Sequence, residues 1–191
     1  VPIGEPHRHD RVDLASTRFP ERQSAAMKRL LPIVTATLLW SLGAVAQTPM
    51  PPQDFVHKAA VSTMFAVESA TLALHKTSSP EIKSFAHRLA NDRGTTGSGL
   101  RQIIAKRSDI ALPERPDGRQ LDLLRDLAAL QGPEFDRAYV LAQRQAQEES
   151  LAVVSAYAET GSDPELKAFA ENTLPILQKL DAEAKALPKP E

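Results

Sequence analysis

Cysteine is absent from the 191 residues, which excludes disulfides, thiolate metal sites, a cysteine nucleophile and a lipidated cysteine. Strand periodicity is missing too. No segment alternates apolar and polar residues over a useful length, so no sheet is expected. Strong charge of either sign is also lacking: the formal net charge is −1, and residues 47–191 hold 17 Lys and Arg against 20 Asp and Glu. A nucleic-acid partner is therefore not implied. The motifs of catalysis are missing as well. No Gly-rich phosphate loop follows a strand, no His-Glu-x-x-His occurs, and Ser98, between Gly97 and Gly99, lacks the Gly-x-Ser-x-Gly frame. The expectation is a protein that is not an enzyme and needs no cofactor.

What is present begins with an address. Met27-Lys28-Arg29 is a short basic start, Leu30 to Val45 is apolar, and Ala44-Val45-Ala46 precedes Gln47 as a small-residue cleavage site. Residues 27–46 read as a secretory signal peptide cleaved after Ala46, with membrane contact only through this segment if it is retained. Residues 1–26 show neither helical nor strand period and read as a disordered extension upstream of a true start at Met27. Residues 47–53, with Pro49, Pro51 and Pro52, read as an extended linker. A single domain over 54–187 and a short tail at 188–191 complete the chain, and the location expected from this order is the periplasm.

Within that domain the apolar residues recur at helical spacing. Helix one is expected from Asp54 as cap to about Lys76, with Val61, Phe65 and Leu72 on its stripe. Helix two starts at Pro80 and carries Ile82, Phe85, Leu89, Leu100, Ile103 and Ile104. Gly94, Gly97 and Gly99 interrupt it at a cost of roughly 3 kcal/mol relative to alanine, which predicts a kink, fraying or a close approach. A crossover containing a short helix over 120–130 follows. Helix three runs from about Pro133 to Thr160 with Phe135, Tyr139, Ala142, Ala146, Val153 and Tyr157 as its seam, and helix four from Pro164 to about Leu187, kinked at Pro175. One segment occurs twice. Ser79-Pro80-Glu81-Ile82-Lys83-Ser84-Phe85-Ala86 returns as Asp163-Pro164-Glu165-Leu166-Lys167-Ala168-Phe169-Ala170, each copy a cap, a proline in the first turn and a first-turn acid. Two short turns with this start module imply two antiparallel helical hairpins.

Three acids fall on or beside these apolar stripes: Glu68 between Phe65 and Leu72, Asp92 after Leu89, and Glu149 between Ala146 and Val153. A carboxylate buried in a bundle has to be paired, metal-bound or protonated, so three of them would make a metal site of the kind bundles use. The bland alternative is that each lies at the edge of its stripe. Histidine tips the balance toward no metal: no Glu after residue 46 is followed three residues later by His, and His57, His75 and His87 do not share a face with the acids. Arg88, Arg93, Arg101 and Arg107 make helix two mildly basic, as a solvated face would.

Phe55-Val56 with Glu68, the first start module, Asn91-Asp92, Phe135-Asp136-Arg137-Ala138-Tyr139, the second start module and Thr173-Leu174-Pro175-Ile176-Leu177 occur in this order. Together they resemble the bacterial exported family called domain of unknown function 4142, whose members are often labelled outer membrane or ferritin-like proteins. The resemblance spans about residues 55–187. It implies an all-α, ferritin-like antiparallel four-helix bundle behind a signal peptide, with a binding or structural role in the cell envelope, a protein partner there, and a tie to stress. It also implies histidines at three positions that here hold Arg93, Gln147 and Leu180. A bundle-centre polar cluster of Glu68, Asp92, Arg93 and Gln147 is then expected, with Arg93 paired to Asp92 or Glu68 in place of metal. The competing reading is a metal-binding relative that uses Glu68, Asp92 and Glu149.

Overall fold

The computed structural model describes residues 49–188, which form five helices and, among those residues, no strand. They are α1 (Pro52–Lys76), α2 (Pro80–Ile104), α3 (Gly118–Ala129), α4 (Gly132–Thr160) and α5 (Pro164–Ala186). The expected extension, signal peptide and cleavage site lie outside the described residues. No helix among the described residues is long and apolar enough to cross a membrane.

Four long helices make a ring in which α1 packs on α2 and α4, and α5 packs on α4 and α2. Facing pairs give the directions. Phe55 meets Tyr157 and Ser69 meets Gln143, so α1 and α4 run antiparallel; Arg88 meets Glu183 and Gly99 approaches Phe169, so α2 and α5 do as well. With both hairpins antiparallel, α2 and α4 point the same way across the diagonal. A chain linking two such helices has to travel back along the bundle, which accounts for the long crossover. The amphipathic helix α3 lies within it and packs Leu124 and Leu127 against α1 and α4.

The two start modules behave alike. The Ser79 hydroxyl accepts from the Ile82 N–H at 3.3 Å and Asp163 Oδ1 accepts from the Leu166 N–H at 3.0 Å, each with proline at the first helical position. At the other end of α5, Arg144 donates to the carbonyls of Ala184 and Leu187, at 3.2 and 2.6 Å, and so satisfies groups that a helix end leaves open. The core is aliphatic and aromatic. Phe55 stacks on Tyr157 with centroids 3.9 Å apart, and fully buried Phe85, Leu89, Phe135, Leu166 and Leu177 each contribute about 1.5–3 kcal/mol by leaving water.

One local expectation is corrected. Helix one begins at Pro52, because proline is favoured in a first turn, and Asp54 sits inside that turn rather than at the cap. Helix two is continuous, and the close approach expected at its glycines is found. Of the three, Gly97 has the clearest reason: a Cβ there would stand 2.7 Å from the Thr63 methyl, so its bare backbone allows α1 and α2 to touch. Helix α5 continues through Pro175, which lies on the exposed face.

Candidate functional site

The middle of the bundle is polar, and its members come from three helices. Arg93 on α2 is 3% exposed. Its Nη2 donates to the Ser62 hydroxyl on α1 at 2.5 Å, and Ser62 in turn donates to the Ser150 hydroxyl on α4 at 3.0 Å. A guanidinium is only a donor, so Ser62 accepts from Arg93 and keeps its own O–H for Ser150, an order that runs outward from Arg93. A second chain lies further along α1 and α4. Gln147 donates to the Gln143 side-chain carbonyl at 3.1 Å, Gln143 to the Ser69 hydroxyl at 2.9 Å, and Ser69 to the Ala66 carbonyl.

Two atoms in this layer lack a partner: the Arg93 Nε–H, a donor, and Gln147 Oε1, an acceptor. More consequential is the charge. Among the described residues no carboxylate lies within ion-pair distance of Arg93. Burial alone therefore lowers its pKa from the usual guanidinium range to about 10, which disfavours the charged form by roughly 3 kcal/mol.

The acids expected at the centre stand elsewhere. Glu68 is exposed, Asp92 is half-buried, and Glu149 is exposed, with both its oxygens taken by Arg119 and its Oε1 also by Gln145. The Arg119 bonds, and secondarily Gln145, hold the Glu149 carboxyl below the usual range against the opposing effect of burial. Of the expected cluster, Arg93 and Gln147 are interior while Glu68 and Asp92 are not. The expected pairing of Arg93 with Asp92 or Glu68 does not form; a serine hydroxyl takes its place. Each acid immediately precedes a buried polar residue, namely Ser69, Arg93 and Ser150. One residue is about 100° of helix, enough to move a side chain from the interior to the rim.

Ser69, Gln143 and Ser150, with the half-buried Ser62, are members of this layer that the apolar stripes did not reveal. A signal for them exists. The buried seam of α1 runs through Ala59, Ala66, Ala70 and Ala73, and Ser69 lies in it; that of α4 runs through Tyr139, Gln143, Gln147, Ser150, Val154 and Tyr157. Small and polar residues at three-four spacing continue these seams between the large apolar ones.

The serines open onto a groove of about 410 Å³ between α1 and α4. Ala59, Ala146, Val153 and Val154 give it apolar walls, Ser62 and Ser150 its polar floor, and Lys58 and Glu149 its rim. Among the described residues, no three His, Asp or Glu side chains are placed to hold a metal ion. His57 instead faces Asp117 at 3.4 Å, and His75 and His87 are exposed.

No curated protein matches the sequence. Solved structures do resemble the fold. CopM in its Cu(II)-bound form matches with a TM-score of 0.61 at 17% identity over 73% of this chain and 96% of that one, and CopM in its Cu(I)-bound form with 0.58 at 20% over 72% and 94%. A secreted DUF305 protein from Streptomyces coelicolor matches with 0.56 at 14% over 70% and 87%. At these identities the likeness concerns the helical bundle. The family model for the domain of unknown function DUF4142 covers residues 41–187, and the chain belongs to that family.

Proposed function

We propose that this protein is an exported, non-enzymatic binding module of the cell envelope that takes a small ligand in the groove between α1 and α4. The observation that carries this reading is the uncompensated Arg93, buried at a cost of roughly 3 kcal/mol and joined to the groove through Ser62 and Ser150. A bundle core has cheaper ways to fill that volume, so a retained charge supports a role outside stability. The same bonds argue against catalysis at the serines. Ser62 is held by a donor with no lone pair to accept its proton, and an activated nucleophile requires a base.

Binding is tested with a neutral fluorescent probe, N-phenylnaphthylamine, and the variant Ala146→Phe, which fills the groove. Saturable fluorescence enhancement in the wild type that the variant loses is the expected result; binding unaffected by Ala146→Phe puts any site elsewhere. Export rests on the basic, apolar and small-residue order before Gln47 and is supported by the secreted nature of one structural neighbour. N-terminal sequencing of the periplasmic protein should begin at Gln47, and a different mature start contradicts that cleavage.

A metal-binding reading is favoured by one observation, the fold likeness to CopM, whose structures hold copper. The residues of this chain fit it poorly. Copper selects imidazole and thioether donors, whereas Glu68 and Glu149 project to solvent and the three described histidines lie apart.

A further inference from the structure

The proton order in the floor of the groove specifies what its occupant must offer. Arg93 Nη2 donates to Ser62, and Ser62 donates to Ser150. Ser150 Oγ thus accepts one bond, while its own O–H meets no acceptor among the described residues. Ser150 is 5% exposed and lines the groove. A row of donors polarised by a cation at its inner end strengthens the outermost O–H as a donor. The rim has the same sign. Lys58 has no ion pair among the described residues, whereas Glu149, the one acid lining the groove, is neutralised by Arg119. The groove therefore combines apolar walls with a floor and rim that favour negative charge.

We infer that the groove takes a single-chain amphiphile with an anionic oxygen head: the head accepts from Ser150 and offsets the Arg93 charge, and the chain lies on Ala59, Ala146, Val153 and Val154. This rests on the groove being the binding site, as proposed above, and adds the chemical class of the ligand. The groove, at about 410 Å³, falls in the range of small-molecule pockets. An alcohol of the same chain would gain the apolar contacts but leave the buried cation uncompensated. A cationic amphiphile would meet Lys58 and the polarised donor row with the wrong sign.

Calorimetric titration of the full chain with decanoate, decanol and decyltrimethylammonium separates the contributions. Decanoate should bind at least tenfold more tightly than decanol, and the cation not measurably. In Arg93→Met the decanoate preference should collapse to within about twofold, with the helical circular-dichroism signal of the fold retained. Ser150→Ala, which keeps the charge, should weaken decanoate severalfold and decanol by less, because a bond to a carboxylate is stronger than one to an alcohol, and Arg93→Lys should restore part of the preference. Equal affinity for decanoate and decanol in the wild type overturns the anionic head yet leaves the groove as an apolar site. A preference that survives Arg93→Met places the anion elsewhere. If decanoate does not bind and N-phenylnaphthylamine binding ignores Ala146→Phe, the groove reading and this one fall together.

Discussion

Arg93 is the residue on which stability and function pull apart. Its pKa is lowered by burial to about 10, and for a base the sign is unfavourable to the folded state. The cost is fully present below pH 10 and is relieved only as pH rises from there toward the unfolded value. At neutral pH the guanidinium thus burdens the fold by roughly 3 kcal/mol, against one charge-assisted hydrogen bond to Ser62 that returns about 1.5 kcal/mol. Arg93→Met removes the charge, keeps much of the length and packs adaptably. Its thermal midpoint at pH 7, followed by circular dichroism, should rise by roughly 5 °C. A lower midpoint would mean that Arg93 is a net stabiliser and that its charge needs no ligand to explain it.

At the scale of elements, helix starts and helix junctions share side chains. Asp163 caps α5 through Leu166 and also receives Arg107 at 2.5 Å, and Arg107 binds Asp109 as well, so the loop after α2 is tied to the start of α5. Burial pushes the Asp163 carboxyl up, but the Leu166 N–H and the Arg107 guanidinium outweigh it and leave the pKa lowered. A lowered acid contributes stability that is present above its unfolded value, about 3.9, and that disappears as pH falls through the folded one. Asp163→Asn retains a cap acceptor and loses the ion pair. Its urea midpoint should lie below that of the wild type at pH 7, and the gap should shrink at pH 3. Asp163→Ala loses the cap too and should cost about 1 kcal/mol more at both pH values. A gap between wild type and Asp163→Asn that is the same at pH 7 and pH 3 would show that the charge of Asp163 is idle.

For the whole molecule, the question is whether a bundle similar to CopM carries metal. Among the described residues the buried polar groups are hydroxyls, two glutamines, the Arg93 cation and one carboxylate, Asp181, which is paired with Lys185 near the end of α5; a fixed positive charge at the centre repels a second one. After dialysis the purified chain should retain well under one equivalent of copper, iron, zinc or manganese by elemental analysis. A stoichiometric ion that is lost on Glu68→Ala would reinstate the carboxylate site and displace the anion reading. The two hairpins also differ at their centres. The shared start modules begin α2 and α5 alike, but twelve residues on from the first-turn acid α2 places Arg93 and α5 places Leu177 in the interior.

Local chemistry is enough to read most of the fold from this chain. Caps at Ser79 and Asp163, prolines at first turns, glycine and short polar turns act within a few residues, so four long helices and the short crossover helix were legible almost to their ends. The depth of each polar side chain was not. Which face of a helix turns inward is decided by all its neighbours at once, and a rotation of one residue exchanges Glu68 for Ser69, Asp92 for Arg93 and Glu149 for Ser150. The sequence by itself determined the all-helical hairpins, the starts of α2 and α5 and the lack of histidine at Arg93, Gln147 and Leu180. Only the packed bundle decided that the charge at that centre is a cation, and that serines rather than acids connect it to the groove, because burial is a property of the assembled helices and not of any one of them.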